Sequence, residues 1–150
     1  DHTIIGRNSR LDTIQSAILS LRLPHYRKAL KKRNLIAKLY EKKLKDISEL
    51  KIPNTKKGSY HAYHQYVVRT NRRNELRKHL AHEKIDTMIH YPYMLSELKI
   101  FKTASGIKNL KNSINLGKKI LSLPISEEHG IQEINFVIKK IKKFFSKNRT

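Results

Sequence analysis

The chain has no cysteine and no tryptophan, and its 150 residues include only five glycines and four prolines. Without cysteine there is no disulfide and no thiolate metal site. With so few glycines, the loops that cradle phosphates have little to form from: neither G-x-x-x-x-G-K-[ST] nor G-x-G-x-x-G occurs. The G-x-S-x-G nucleophile elbow and the H-E-x-x-H zinc pattern are also missing. No apolar run approaches the roughly 18 residues of a transmembrane helix, and no basic-then-apolar leader opens the chain, so no membrane partner is expected. Together with the missing cysteines, this fits a cytoplasmic protein. Acidic residues are scarce as well, 12 against 33 lysines and arginines, for a formal charge of +21.

Such a charge raises the possibility of a polyanion partner, and a basic nucleic-acid-binding module is one reading of it. The lysines, however, fall in ordinary amphipathic patterns such as "RKALKKRNLIAKLYEKKLKD" and "INFVIKKIKKFFSK". A solvated lysine-rich surface is therefore the preferred reading, and nucleic acid is not the expected partner.

What is present is periodic. "GRNSRLDTIQSAIL" (6–19) marks a helix start: Asp12 can cap it, Gln15 can reach back as in a capping box, and Leu11, Ile14, Ile18 and Leu21 recur at helical spacing. Arg7, Asn8, Ser9 and Arg10 precede the cap, where unpaired N–H groups and the helix dipole favour an anion. The spacing predicts helices over 12–23 and onward to about Ile47, with Ile36, Tyr40, Leu44 and Ile47 on one side and Leu35 and Leu39 widening the stripe. "KIPNTKKGS" (51–59) reads as a loop. "YHAYHQYVVRT" reads as a strand, with His64, Tyr66 and Val68 on one face and Tyr63, Gln65 and Val67 on the other. "RNELRKHLAHEK" reads as a helix, "IDTMIHY" as a second strand, and "ILSLPI" (120–125) as a short buried strand. Short helices are expected near Leu95–Phe101 and Lys108–Lys119. A final helix over Ile131–Ser146 places Ile131, Ile134, Ile138, Ile141 and Phe145 on one stripe. Strands separated by helices make a small mixed α+β domain.

Eight histidines invite a metal reading, but His61 and His64 would lie on opposite faces of a strand, and no metal site is expected. Tyr63, Tyr66, Tyr91 and Tyr93 interleave with basic residues; the choice lies between base-stacking groups and core or pocket wall, and the second is preferred. Packing inside the domain is likewise preferred for His64 and Tyr66.

Taken in order, "IGRNSRLDTIQSAIL", "HAYHQYVV", "IHYP" and "LSLPI" followed by an amphipathic helix resemble the C-terminal portion of the DegT/DnrJ/StrS family of sugar aminotransferases. The resemblance runs from about Ile5 to Phe145. It implies the small α+β domain of a fold type I, pyridoxal 5′-phosphate (PLP) dependent transferase that moves an amino group, commonly from glutamate, to a keto sugar on a nucleotide carrier, in a homodimer. It further implies that Asn8 reaches the cofactor phosphate of the partner subunit and that Arg10 serves anionic substrate groups. His90 and Tyr91 of "IHYP" are implied on the sugar side, with His61 and Tyr63 of "HAYH" as further substrate-site residues. After "IHYP" the chain departs from the family, reading "YMLSELKIF" where a Pro and a His are usual.

The family's Schiff-base lysine lies upstream of its G-x-N-S-R segment, so no catalytic residue is nominated here. The expectation is a piece of a longer enzyme: residues 1–23 as interface segment, residues 24–150 as the small domain. Alone, it is expected neither to hold the cofactor covalently nor to transaminate. A non-catalytic subunit supplying Asn8 and Arg10 to a complete partner is a further alternative.

Overall fold

A computed structural model describes residue 6 and residues 11–101 and 110–146. Among the described residues, five α-helices and two strands follow in the order α1 (Thr13–Arg22), α2 (Tyr26–Leu44), β1 (Tyr66–Arg69), α3 (Arg73–His82), α4 (Lys111–Gly117), β2 (Ile120–Leu123) and α5 (Ile131–Ser146). β1 and β2 pair antiparallel, Tyr66 opposite Leu123 and Val68 opposite Leu121. These four side chains share one face of the sheet. Onto it pack Ile36, Tyr40 and Leu44 of α2, Leu76 and Leu80 of α3, and Ile134, Ile138 and Ile141 of α5. The fold is the expected α+β arrangement, and each fully buried aliphatic side chain contributes about 1.5–3 kcal/mol.

The local reasons for these elements are visible. Asp12 caps α1, its Oδ1 accepting from the Gln15 N–H at 2.8 Å. Gln15 returns its side chain to the N–H of Leu11 (3.0 Å) rather than to that of Asp12, so the reciprocal cap closes one residue earlier than the sequence suggests. Pro24 sits in a single 3-10 turn, Leu23–His25, that passes α1 into α2. α3 ends in a Schellman motif: Lys84 takes the left-handed φ of 58°, its N–H reaches Ala81 O, and the Ile85 N–H reaches Leu80 O.

Several expectations are corrected. α2 stops at Leu44, and Ile47 packs on the core from the following turn. Leu35 is exposed because it falls on the side of α2 opposite the buried stripe, whereas Ile131 is exposed at the first residue of α5, where the helix begins. The strand expected over 60–70 is reduced to Tyr66–Arg69, because Tyr63 takes φ 47° and breaks the extended backbone. "IDTMIHY" forms no strand; only Met88 bridges Ser122. Leu95–Glu97 and Lys99–Phe101 are 3-10 turns, and the helix expected over 108–119 is the shorter α4.

Candidate functional site

The segment that precedes β1 is held against α2 by side chains at the edge of its buried stripe. Asn34 Nδ2 donates to the carbonyls of Leu30 (3.0 Å) and His61 (3.1 Å) and to the Tyr60 hydroxyl (3.2 Å). One turn of α2 away from Ala37, Arg33 donates through Nη1 to Tyr63 O at 3.2 Å. Its Nε and Nη2 lie 2.8 and 2.7 Å from Glu127 Oε2, in the loop before α5. Arg22, the last residue of α1, approaches the other carboxylate oxygen at 3.6 Å. The Glu127 carboxyl is held below its ordinary value by its own backbone N–H and by the Arg33 hydrogen bond, with the charges of Arg33 and Arg22 adding.

Beside this loop an open cleft of about 650 Å³ is lined by His64, Met88, His90, Ser122, Ile125 and Phe136, among others. That volume suits a small organic ligand. His90 Nδ1 and the buried Ser122 Oγ are 2.9 Å apart, which fixes the imidazole against β2. Glu133 caps α5 by accepting from the Gly130 N–H at 2.7 Å, with His129 Nδ1 at 3.7 Å. Below the cleft, Tyr40 and Tyr66 stack at 4.8 Å between ring centroids. Burial pushes both phenols well above their ordinary range, so both are neutral hydroxyls.

The residues nominated from sequence are only partly brought together. His90 lines the cleft, whereas Tyr91 projects into solvent with its ring edge-on to His90. His61 and Tyr63 pair with each other, ring centroids 4.2 Å apart, and stand outside the cleft lining. Asn8 and Arg10 lie outside the described residues. His64 is the residue the sequence reading misplaced: it is exposed on the cleft wall, not packed inside. Tyr66 is packed inside, as expected, and so is closed to a stacking base. Among the described residues no group of His, Asp or Glu is arranged to hold a metal ion. Nor is any described helix long and apolar enough to cross a membrane.

The described residues thus form a two-stranded α+β unit with a ligand-sized cleft beside its sheet and, at its start, a helix that buries none of its own residues. The sequence profile of the DegT/DnrJ/EryC1/StrS aminotransferase family matches residues 1–142, and the chain belongs to that family. It is 34% identical over 148 residues to a "pleiotropic regulatory protein" of Geobacillus stearothermophilus, covering 96% of this chain and 40% of the relative. It is also 34% identical over 125 residues to dTDP-3-amino-3,4,6-trideoxy-alpha-D-glucose transaminase of Streptomyces venezuelae, covering 83% of this chain and 33% of that enzyme. The crystal structure of S. venezuelae DesV superposes with a TM-score of 0.85 at 29% identity, over 100% of this chain and 40% of that one. The chain thus spans between a third and two-fifths of the length of these relatives. The same fold is found in ntda from Bacillus subtilis, solved with bound cofactor PMP, at a TM-score of 0.80 and 19% identity.

Condensation with the cofactor aldehyde needs a desolvated lysine aimed at it. Among the described residues every lysine is exposed except the half-buried Lys140, whose ammonium is taken by Glu83.

Proposed function

We propose that this chain is the C-terminal part of a PLP-dependent aminotransferase that transfers an amino group, from glutamate, to a nucleotide-linked keto sugar in amino-sugar biosynthesis. The observation that carries the reading is the superposition of the whole chain on two-fifths of DesV. In this reading residues 24–150 are the small domain, and residues 1–23 are the segment that meets the remainder of the enzyme and the second subunit of a cytoplasmic homodimer. α1 supports the division: it buries none of its own residues, while Ile14, Ile18 and Leu21 are 74, 50 and 76% exposed. An amphipathic helix with so much apolar surface open to water is an interface element waiting for its partner.

PLP, when bound in the complete enzyme, supplies the electron sink of transamination. This chain's residues bind and orient around that chemistry. Asn8 donates to the cofactor phosphate of the partner subunit, and Arg10 pairs with anionic substrate groups. His90, held by Ser122, and Tyr91 serve the sugar side, and His61 and Tyr63, which pair with each other outside the cleft lining, are further substrate-site residues.

The chain alone is expected to be inert, and spectroscopy tests this. Purified chain mixed with PLP should give no stoichiometric visible absorbance band that survives borohydride as a single-lysine adduct. A one-to-one adduct on one lysine that responds to glutamate would overturn the division of labour. Joined to or mixed with the preceding family segment, the chain should restore amine transfer from glutamate to dTDP- or UDP-linked keto sugars, which neither part performs alone.

A further inference from the structure

Tyr63 is a bulky residue in the left-handed region, φ 47°, where a β-carbon is costly. Such a conformation persists only where its surroundings impose it, and Tyr63 is held at every polar group it has. Its N–H donates to His61 Nδ1 at 2.8 Å, its hydroxyl lies 3.0 Å from Thr55 Oγ1, and its carbonyl accepts from Arg33. Its ring lies between those of His61 and Tyr66, at 4.2 and 5.9 Å. The next residue, His64, is the one that reaches the cleft wall.

We propose that the Arg33–Glu127 pair is a positioning device that locks Tyr63 in this conformation and thereby sets His64 at the mouth of the cleft. The geometry requires arginine. One edge of the guanidinium, Nε and Nη2, is occupied by Glu127, which leaves Nη1 aimed at the carbonyls of Tyr63 (3.2 Å) and His64 (3.4 Å). A lysine ammonium is a single point that cannot span a carboxylate on one element and two carbonyls on another. Glu127 fixes the guanidinium plane, and without it Nη1 loses its direction. The pair joins three elements, α2, the 60–64 segment and the loop before α5, at a point where no strand pairing holds them. That His64 so placed faces substrate rests on the function proposed above; the lock itself does not.

Amide hydrogen exchange on the 150-residue chain tests the lock. Arg33→Met is expected to raise exchange at Tyr63 about tenfold or more relative to Val68 and Ile138, since a local opening is decoupled from the core. Arg33→Lys should behave like Arg33→Met. Nitrogen NMR should show His61 Nδ1 as an acceptor in the parent chain and lose that signature in both variants. Unchanged exchange at Tyr63, or a rise only in step with Val68 and Ile138, would overturn the proposal, as would full rescue by lysine. In a preparation containing the complete enzyme, Arg33→Met should raise KM for the nucleotide sugar more than it lowers kcat. A loosened loop with unchanged KM would fault the substrate-side placement of His64 and leave the lock standing.

Discussion

Deleting one hydroxyl from each of the two stacked tyrosines should destabilise the fold in one case only. Tyr40 and Tyr66 are 0 and 1% exposed and share the same core. The Tyr40 hydroxyl donates to the carbonyl of Pro124 at 2.9 Å. The Tyr66 hydroxyl is buried with no hydrogen-bond partner among the described residues. Tyr40→Phe therefore removes a made bond and strands a partly buried carbonyl, at a cost of about 1–2 kcal/mol. Tyr66→Phe removes a desolvated group that receives nothing in return. Its effect is the relief of that penalty less the small void left by one oxygen, between no change and a gain of about 1 kcal/mol. Urea denaturation followed by helical circular dichroism reads both. With a slope of roughly 2 kcal/mol/M, Tyr40→Phe should lower the midpoint by about 0.5–1 M, while Tyr66→Phe leaves it or raises it. Equal losses in the two variants would refute the reasoning, because Tyr66 would then have a partner of its own, such as a buried water.

Other outcomes follow from the same packing. Lys84→Gly relieves the left-handed residue of the α3 cap and should raise stability by about 0.5–1 kcal/mol in the same assay, provided the long side chain contributes little. Leu121→Ala, at a position with no exposure at the centre of the sheet, should cost about 2–5 kcal/mol. Ile14→Ser with Ile18→Ser should change the chain's own stability by less than about 0.5 kcal/mol per site, while reducing its self-association in sedimentation. The carboxyls of Glu127 and Glu83 are both depressed in the folded chain, Glu83 first by its hydrogen bond from Lys140. A depressed folded value means that the unfolded chain binds protons first on acidification. Their stabilisation is thus present above roughly pH 4.3, the unfolded value, and is lost as pH falls through the lower folded values. The urea midpoint should drop in acid, and Glu127→Gln should flatten part of that drop.

The family and the order of elements were legible in the chain itself. α5 was legible from its period, because Ile134, Ile138, Ile141 and Phe145 recur at a spacing only a helix can bury together. β2 was legible as an apolar run, and α1 from its Asp12 cap, since both signals are local. The scarcity of glycine, with no glycine-rich phosphate motif, and the absence of cysteine had already argued against such loops, disulfides and thiolate metal sites. What only the tertiary structure decided is the neighbourhood of the cleft. Alternation through "HAYHQYVV" is a two-residue period, and a single left-handed residue resets it, so Tyr63 packs on the core and His64 comes out. Nothing near Tyr63 in sequence announces that φ; it is imposed by Arg33, 30 residues earlier, and by Glu127, 94 residues beyond Arg33. "IDTMIHY" has strand composition, yet it bridges β2 only at Met88, and its His90 is oriented by Ser122, 32 residues on. Periodicity reports what a segment can bury, whereas the direction of a polar side chain depends on partners that folding alone brings within 3 Å.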